Sequence, residues 1–118
     1  MKQLTKAEEE IIQVLWHLEN ASVKDILAQL PEPKPAYNTV STIIRILEDK
    51  AFVAHQKQGR GYIYYPLVDK KTYTKQSLSK MINNYFDGSF QNLVSFFAKS
   101  GDMDINELED IIKEIKNK

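Results

Sequence analysis

Apolar residues recur every three to four positions along most of this chain, which is the spacing of one buried helix face. These stripes predict three helices, over residues 5–18, 22–30 and 38–50. The connector PEPKPAY separates the second helix from the third, because proline lacks a backbone donor and restricts the residue before it. Three short helices with tight connections suggest a helix-turn-helix core.

Two of these helices begin with a recognisable capping pattern. Thr5 with Glu8, and Ser22 with Asp25, fit the capping box, in which two side chains satisfy backbone donors at a helix start. The acidic run that begins at Glu8 is interpreted simply as a negative first turn, which suits the helix dipole. Trp16 is interpreted as a core residue of the first helix.

The stretch FVAHQKQGRGYIYYPLV has a different pattern, with β-branched and aromatic residues on both sides of a flexible segment. It predicts a β-hairpin whose turn is Gly59, Arg60 and Gly61. Three helices followed by a hairpin is the element order of a winged helix, in which a two-stranded wing packs beside a three-helix core.

After residue 69 the pattern becomes helical again and predicts three more helices, separated by DGS and SGD. This tail of about forty residues is too short to build a good independent core, and its large apolar side chains are most simply buried against a second copy. The candidate dimerisation residues are Tyr85, Phe86, Phe90, Leu93, Phe97, Leu108, Ile111, Ile112 and Ile115. The predicted fold is mainly α, an α+β winged helix over residues 1–70 with a helical dimerisation domain over 71–118.

The third helix has a polar face of an unusual composition. Its first two turns carry no Glu or Lys, the residues that an ordinary solvated face contains. They carry instead the side-chain types that recognise base edges, at Asn38, Thr39, Ser41, Thr42 and Arg45. The pattern therefore predicts a recognition helix that enters a DNA groove, with a merely solvated face as the alternative.

The charge is distributed unevenly, although sixteen basic and sixteen acidic residues give a net charge of zero. Residues 33–75 hold eight Lys and Arg against three Asp and Glu, a local charge of +5. A basic segment of this kind can meet phosphates even when the whole molecule is neutral. Lys57, Gln58 and Arg60 at the wing tip are candidate DNA contacts.

Catalysis finds little support in the composition. The absence of cysteine excludes disulfides, thiolate metal sites and a cysteine nucleophile. His17 and His55 lie on different elements outside any cluster with metal-ligand spacing, and His55 is expected to be a solvated strand residue. We therefore expect no enzyme activity, metal or cofactor. We also expect a cytoplasmic protein that does not enter membranes, since no signal sequence or apolar run of about 20 residues is present.

Four stretches of the chain resemble the penicillinase and methicillin-resistance repressors, the BlaI/MecI/CopY type of transcriptional regulator. These stretches are LTKAEEEIIQVLW, NTVSTIIRILEDKAFVAHQK, YIYYPLV and DGSFQNLVSFFAK. The resemblance implies a homodimer that binds a dyad-symmetric operator and represses resistance or metal-efflux genes. It also implies that the polar residues of the third helix contact bases. A winged helix that binds a protein partner remains the alternative function.

The resemblance also implies how such a repressor is inactivated. In the antibiotic-linked members, a membrane sensor protease triggers cleavage before a phenylalanine in the stretch that corresponds to VSFFAK. The matching pair here is Phe96–Phe97, where the family has Asn before Phe. The copper-responsive branch uses C-terminal cysteines, which this chain lacks, so copper sensing through thiolates is not expected.

Overall fold

In a computed structural model of the protein, the structure describes residues 2–101 together with residues 106, 109, 110, 113 and 114. The chain divides into two compact units, residues 1–72 and 73–118. Four of the candidate dimerisation residues lie outside the described residues. These are Leu108, Ile111, Ile112 and Ile115.

The first unit contains three helices and a hairpin, in the predicted order. The elements are α1 (Lys6–Leu18), α2 (Val23–Gln29), α3 (Tyr37–Asp49), β1 (Val53–Gln58) and β2 (Gly61–Pro66). The periodic apolar positions form one core between the helices and the base of the hairpin. Its largest fully buried side chains are Phe52, Ile12, Leu15, Ile26, Ile44, Leu47, Val40 and Val53. The winged-helix prediction is confirmed for this unit.

The wing is a two-stranded antiparallel sheet in which Val53 pairs with Pro66 at one end and Gln58 pairs with Gly61 at the other. The predicted turn was one residue too long, because Gly61 belongs to β2 and only Gly59 and Arg60 connect the strands. Two-residue turns match the twist of the flanking strands and need positive φ at the first position. Gly59 supplies it, with a φ of +62°.

The wing is joined to the helical core by a bridge that the sequence did not predict. Ala21, in the connection between α1 and α2, pairs with Tyr64 in the middle of β2. The Ala21 N–H donates to the Tyr64 carbonyl at 3.0 Å, and the Tyr64 N–H donates back at 2.8 Å. A pairing of single residues leaves no periodic pattern in the sequence, so it could not be predicted. In the structure these two hydrogen bonds attach the wing to the helical core.

Both predicted capping boxes are present, at the starts of α1 and α2. The other end of α2 is capped by a lysine that the sequence reading had counted as free positive charge. Lys34 Nζ donates to the carbonyls of Leu27, Ala28 and Leu30 at 3.1, 3.1 and 2.7 Å. The last carbonyls of a helix lack an i+4 donor, and a cation favours the negative end of the helix dipole.

Glu8 lies in the acidic first turn of α1, as the sequence predicts, and its side chain is buried. Its carboxylate accepts a hydrogen bond from Lys50 Nζ at 2.6 Å, which links the start of α1 to the end of α3. Burial alone would raise the pKa of Glu8. Hydrogen bonds from Lys50 and from the Thr5 backbone outweigh burial, so the pKa of Glu8 lies below its ordinary value.

The second unit contains most of α4 (Lys70–Tyr85), whose first three residues lie in the first unit, and all of α5 (Phe90–Ser100). The chain turns between the two helices through Asp87 and Gly88, which both have positive φ, and Ser89 caps the start of α5. Phe86 and Phe96 stack edge to face, with ring centroids 5.6 Å apart. No helix among the described residues has both the length and the apolar character needed to cross a membrane.

Candidate nucleic-acid interface

The polar face of α3 is exposed because its opposite face anchors the helix in the core. Val40, Ile44 and Leu47 are completely buried. The candidate recognition residues lie on the other side of the helix. Asn38, Thr39, Thr42 and Arg45 are exposed, and Ser41 is half-buried.

The start of α3 leaves backbone donors available. The helix begins at Tyr37, one residue earlier than predicted, and its N-cap Ala36 provides no side-chain hydrogen bond. The first turn contains no acidic residue, so the N–H groups and the positive end of the dipole face outward without a counter-charge on the helix. Tyr37 is exposed beside Asn38. The sequence reading missed this tyrosine, because an aromatic residue before a polar helix is equally typical of a core residue.

The wing tip extends into open space. Lys57, Gln58 and Arg60 are all exposed, and a Cβ built on Gly59 or on Gly61 would meet no atom within 4 Å. A long cationic side chain at such a tip can reach a backbone phosphate without steric obstruction. The three wing residues predicted as contacts are therefore placed together on one loop and its flanking strands.

Less of the basic segment is available than its sequence charge suggests. Lys34 caps α2, and Lys50 is paired with Glu8. The positive charge that remains on α3 and the wing comes from Arg45, Lys57 and Arg60. The face is thus only moderately basic, and uncharged polar side chains make up much of its exposed surface.

His55 is an exposed residue of β1, as the sequence predicts, and it also contacts α3. Its Nδ1 contacts the carboxylate of Glu48, near the end of α3. Its ring lies edge-on to Tyr62 with centroids 4.8 Å apart, and 5.6 Å from the ring of Tyr64. Burial raises the pKa of Tyr64, and the nearby Glu48 carboxylate acts in the same direction. One histidine therefore connects the wing to α3, and the sequence had no local signal for this contact.

Trp16 and His17 lie on α1, and neither belongs to the polar face of α3. Trp16 is half-buried rather than fully in the core, and its indole N–H donates to the Val68 carbonyl at 2.8 Å. His17 is exposed beside it, on the wall of an open concavity. Among the described residues, no group of three or more His, Asp or Glu side chains could hold a metal ion.

The candidate dimerisation residues that the structure describes differ widely in exposure. Tyr85 is 78% exposed, whereas Leu93 is buried. Phe86, Phe90 and Phe97 are half-buried. Tyr85 is therefore the described candidate with the most surface to contribute to a contact with another molecule.

A three-helix core, an exposed polar face on its third helix and an adjoining two-stranded wing define a winged-helix protein. The family described as "Penicillinase repressor" matches residues 4–117, and the chain belongs to this family.

Individual relatives cover nearly the whole chain. The penicillinase repressor of Bacillus licheniformis is 26% identical over 120 residues, covering 98% of this chain and 94% of that protein. The methicillin resistance regulatory protein MecI of Staphylococcus aureus (strain N315) is 27% identical over 117 residues, with the same coverage. A solution structure of monomeric Bacillus licheniformis BlaI in complex with the blaP half-operator matches with a TM-score of 0.52 at 26% identity. That match covers 61% of this chain and 89% of the other.

Proposed function

We propose that this chain is a sequence-specific DNA-binding transcriptional repressor in which α3 enters the major groove. The observation that carries the proposal is the division of α3 into two faces. Val40, Ile44 and Leu47 are completely buried, while Asn38, Thr42 and Arg45 are exposed on the side away from the core. The likeness to a repressor solved in complex with operator DNA supports it.

In this proposal the α3 residues contact base edges, and the wing residues contact phosphates. Asn pairs well with adenine, Arg with guanine, and Ser or Thr with several base edges, including the thymine methyl. The short side chains at Asn38, Ser41 and Thr42 let the helix backbone approach the groove floor. Arg60 and Lys57 on the wing contact the phosphate backbone beside the groove, which adds affinity without sequence preference.

The active form in this proposal is a homodimer joined through residues 73–118. A dimer presents two copies of α3 to half-sites about 34–36 Å apart, which matches a dyad-symmetric operator. Repression follows from occupation of the promoter and needs no enzyme activity, metal or cofactor. Such a protein acts in the cytoplasm, where the DNA lies, and controls a resistance or stress operon.

Inactivation by a sensor-linked protease is the further element of the proposal. The candidate bond joins Phe96 and Phe97 in α5, where Phe96 is 56% exposed. A protease needs an extended strand, so α5 has to unfold locally before this bond is cut. Mass spectrometry of the repressor fragments from induced cells identifies the bond that is cut. Cleavage at another bond, or no cleavage, would contradict this inactivation hypothesis but would leave the DNA-binding proposal intact.

The test begins with duplexes selected by the full-length chain from random-sequence DNA. Arg45→Ala and Thr42→Ala are expected to weaken binding to the selected duplex by about 1–3 kcal/mol per lost base contact, with a smaller loss on random DNA. Arg60→Ala is expected to weaken both alike and to flatten the salt dependence. Equal losses on both duplexes for Thr42→Ala would contradict base recognition. A wild-type chain that binds neither duplex would point to a protein partner instead.

A further inference from the structure

We propose that His55 is a positioning residue that holds the Glu48 carboxylate against the wing, away from Arg45, so that Arg45 is available to DNA. The inference rests on the proposed function, since Arg45 matters here as a DNA-contacting group.

Three neighbours define the position of the His55 ring. Its Nδ1 contacts Glu48, and its ring packs against Tyr62 at 4.8 Å and Tyr64 at 5.6 Å. Tyr64 is itself held by its two backbone hydrogen bonds to Ala21. The ring is therefore supported by the wing and by the core, and it can act as a fixed partner for a carboxylate on α3.

Glu48 has a second partner within reach. Arg45 precedes it by three residues on α3, and side chains at this spacing are neighbours on a helix surface. Among the described residues, however, no ion pair joins Glu48 to Arg45, and the carboxylate is turned toward His55. Without the imidazole, the Glu48 carboxylate is free to pair with the Arg45 guanidinium and to occupy the donors that a base or phosphate needs.

The other groups facing the ring are the phenols of Tyr62 and Tyr64, and Arg45 lies on the same side of α3. The Glu48 carboxylate therefore has two candidate partners, the imidazole of His55 and the guanidinium of Arg45, and in the structure it contacts the imidazole. This arrangement leaves the guanidinium donors of Arg45 available to a base or a phosphate.

A set of binding titrations on the selected duplex tests the inference. Fluorescence anisotropy compares the full-length wild type with His55→Ala, Glu48→Gln and the double variant. His55→Ala is expected to weaken binding about fivefold, the size of an exposed ion pair. The double variant is expected to bind within about twofold of Glu48→Gln alone, because no carboxylate remains to capture Arg45.

Rescue by a conservative variant separates this role from simple packing. His55→Gln, which keeps a donor for Glu48, is expected to bind within about twofold of the wild type. His17→Ala, which removes the other histidine of the chain, is expected to leave binding unchanged. Asp49→Asn, which removes an exposed neighbouring acid on α3, does not rescue His55→Ala.

Equal losses in His55→Ala and in the double variant would overturn the inference, since the ring would then matter only for wing packing. A loss of affinity in His55→Gln as large as that in His55→Ala would overturn it as well. The proposed function fails in a different way, when the wild type does not distinguish the selected duplex from random DNA. Unfolding midpoints for each variant, followed by circular dichroism, confirm that the compared proteins are folded.

Discussion

The contact between Glu8 and Lys50 predicts how much the substitution Glu8→Gln lowers the free energy of unfolding. Lys50 Nζ lies 2.6 Å from a Glu8 side-chain oxygen, and the same oxygen accepts the Thr5 N–H at 3.1 Å. Glu8→Gln keeps an oxygen for the cap and removes only the charge. The substitution therefore isolates the ion pair from the capping box.

The expected loss in the free energy of unfolding depends on how deeply the Glu8–Lys50 ion pair is buried. Removing one partner of a fully buried pair costs about 3–5 kcal/mol, whereas an exposed pair contributes at most about 1 kcal/mol. The side chain of Lys50 is 21% exposed and that of Glu8 is 7% exposed, and Lys50 keeps a hydrogen bond to the Gln3 carbonyl at 3.3 Å. We expect Glu8→Gln to lower the free energy of unfolding by about 1–3 kcal/mol. Adding Lys50→Met recovers part of that loss, because it removes the ammonium that was left without its partner.

The assay is urea unfolding followed by the fluorescence of Trp16, the only tryptophan of the chain. Protein concentration is held constant, because association adds to apparent stability. The pKa of Glu8 is lowered in the folded chain, so its contribution is present above the ordinary glutamate pKa and is lost as the pH falls through the lowered value. The difference between wild type and Glu8→Gln is therefore expected to shrink in acid.

Glu10→Gln is the matched control, since Glu10 is an exposed acid on the same helix. It is expected to change the free energy of unfolding by less than about 0.5 kcal/mol. An equally small effect of Glu8→Gln would refute the reasoning. So would a difference between wild type and Glu8→Gln that stays constant down to strongly acidic pH.

Three further substitutions test other contacts. Trp16→Phe removes the indole hydrogen bond and is expected to cost about 1 kcal/mol beyond any packing change, measured by urea unfolding with circular dichroism. Gly59→Ala places a side chain at a φ of +62° and is expected to cost about 1 kcal/mol, while Gly61→Ala, the control without positive φ, is tolerated in thermal melts. The Thr72 N–H holds the pKa of Asp69 below its usual value, so Asp69→Ala is expected to destabilise the chain near neutral pH and to lose that effect as the pH falls.

Local patterns were sufficient for α1 to α5, the hairpin and the polar face of α3, while the last predicted helix of the tail lies largely outside the described residues. Helical periodicity assigns Val40, Ile44 and Leu47 to one side, and the same geometry places Thr42 and Arg45 on the other. A capping box is likewise complete within four residues. Such features depend only on residues close in sequence, and this is why they can be predicted before the fold is known.

The partners of distant side chains depended on how the elements pack. Glu8 meets Lys50 across 42 residues, and Ala21 bridges to Tyr64 although neither residue belongs to a periodic pattern that links them. The distance and angle between α1, α3 and the wing decide these contacts. Local sequence patterns do not predict that arrangement, because pairs of residues distant in sequence meet only when the core brings their elements together. For the same reason the number of basic residues overstated the charge available to DNA, until the fold showed which of them are already engaged.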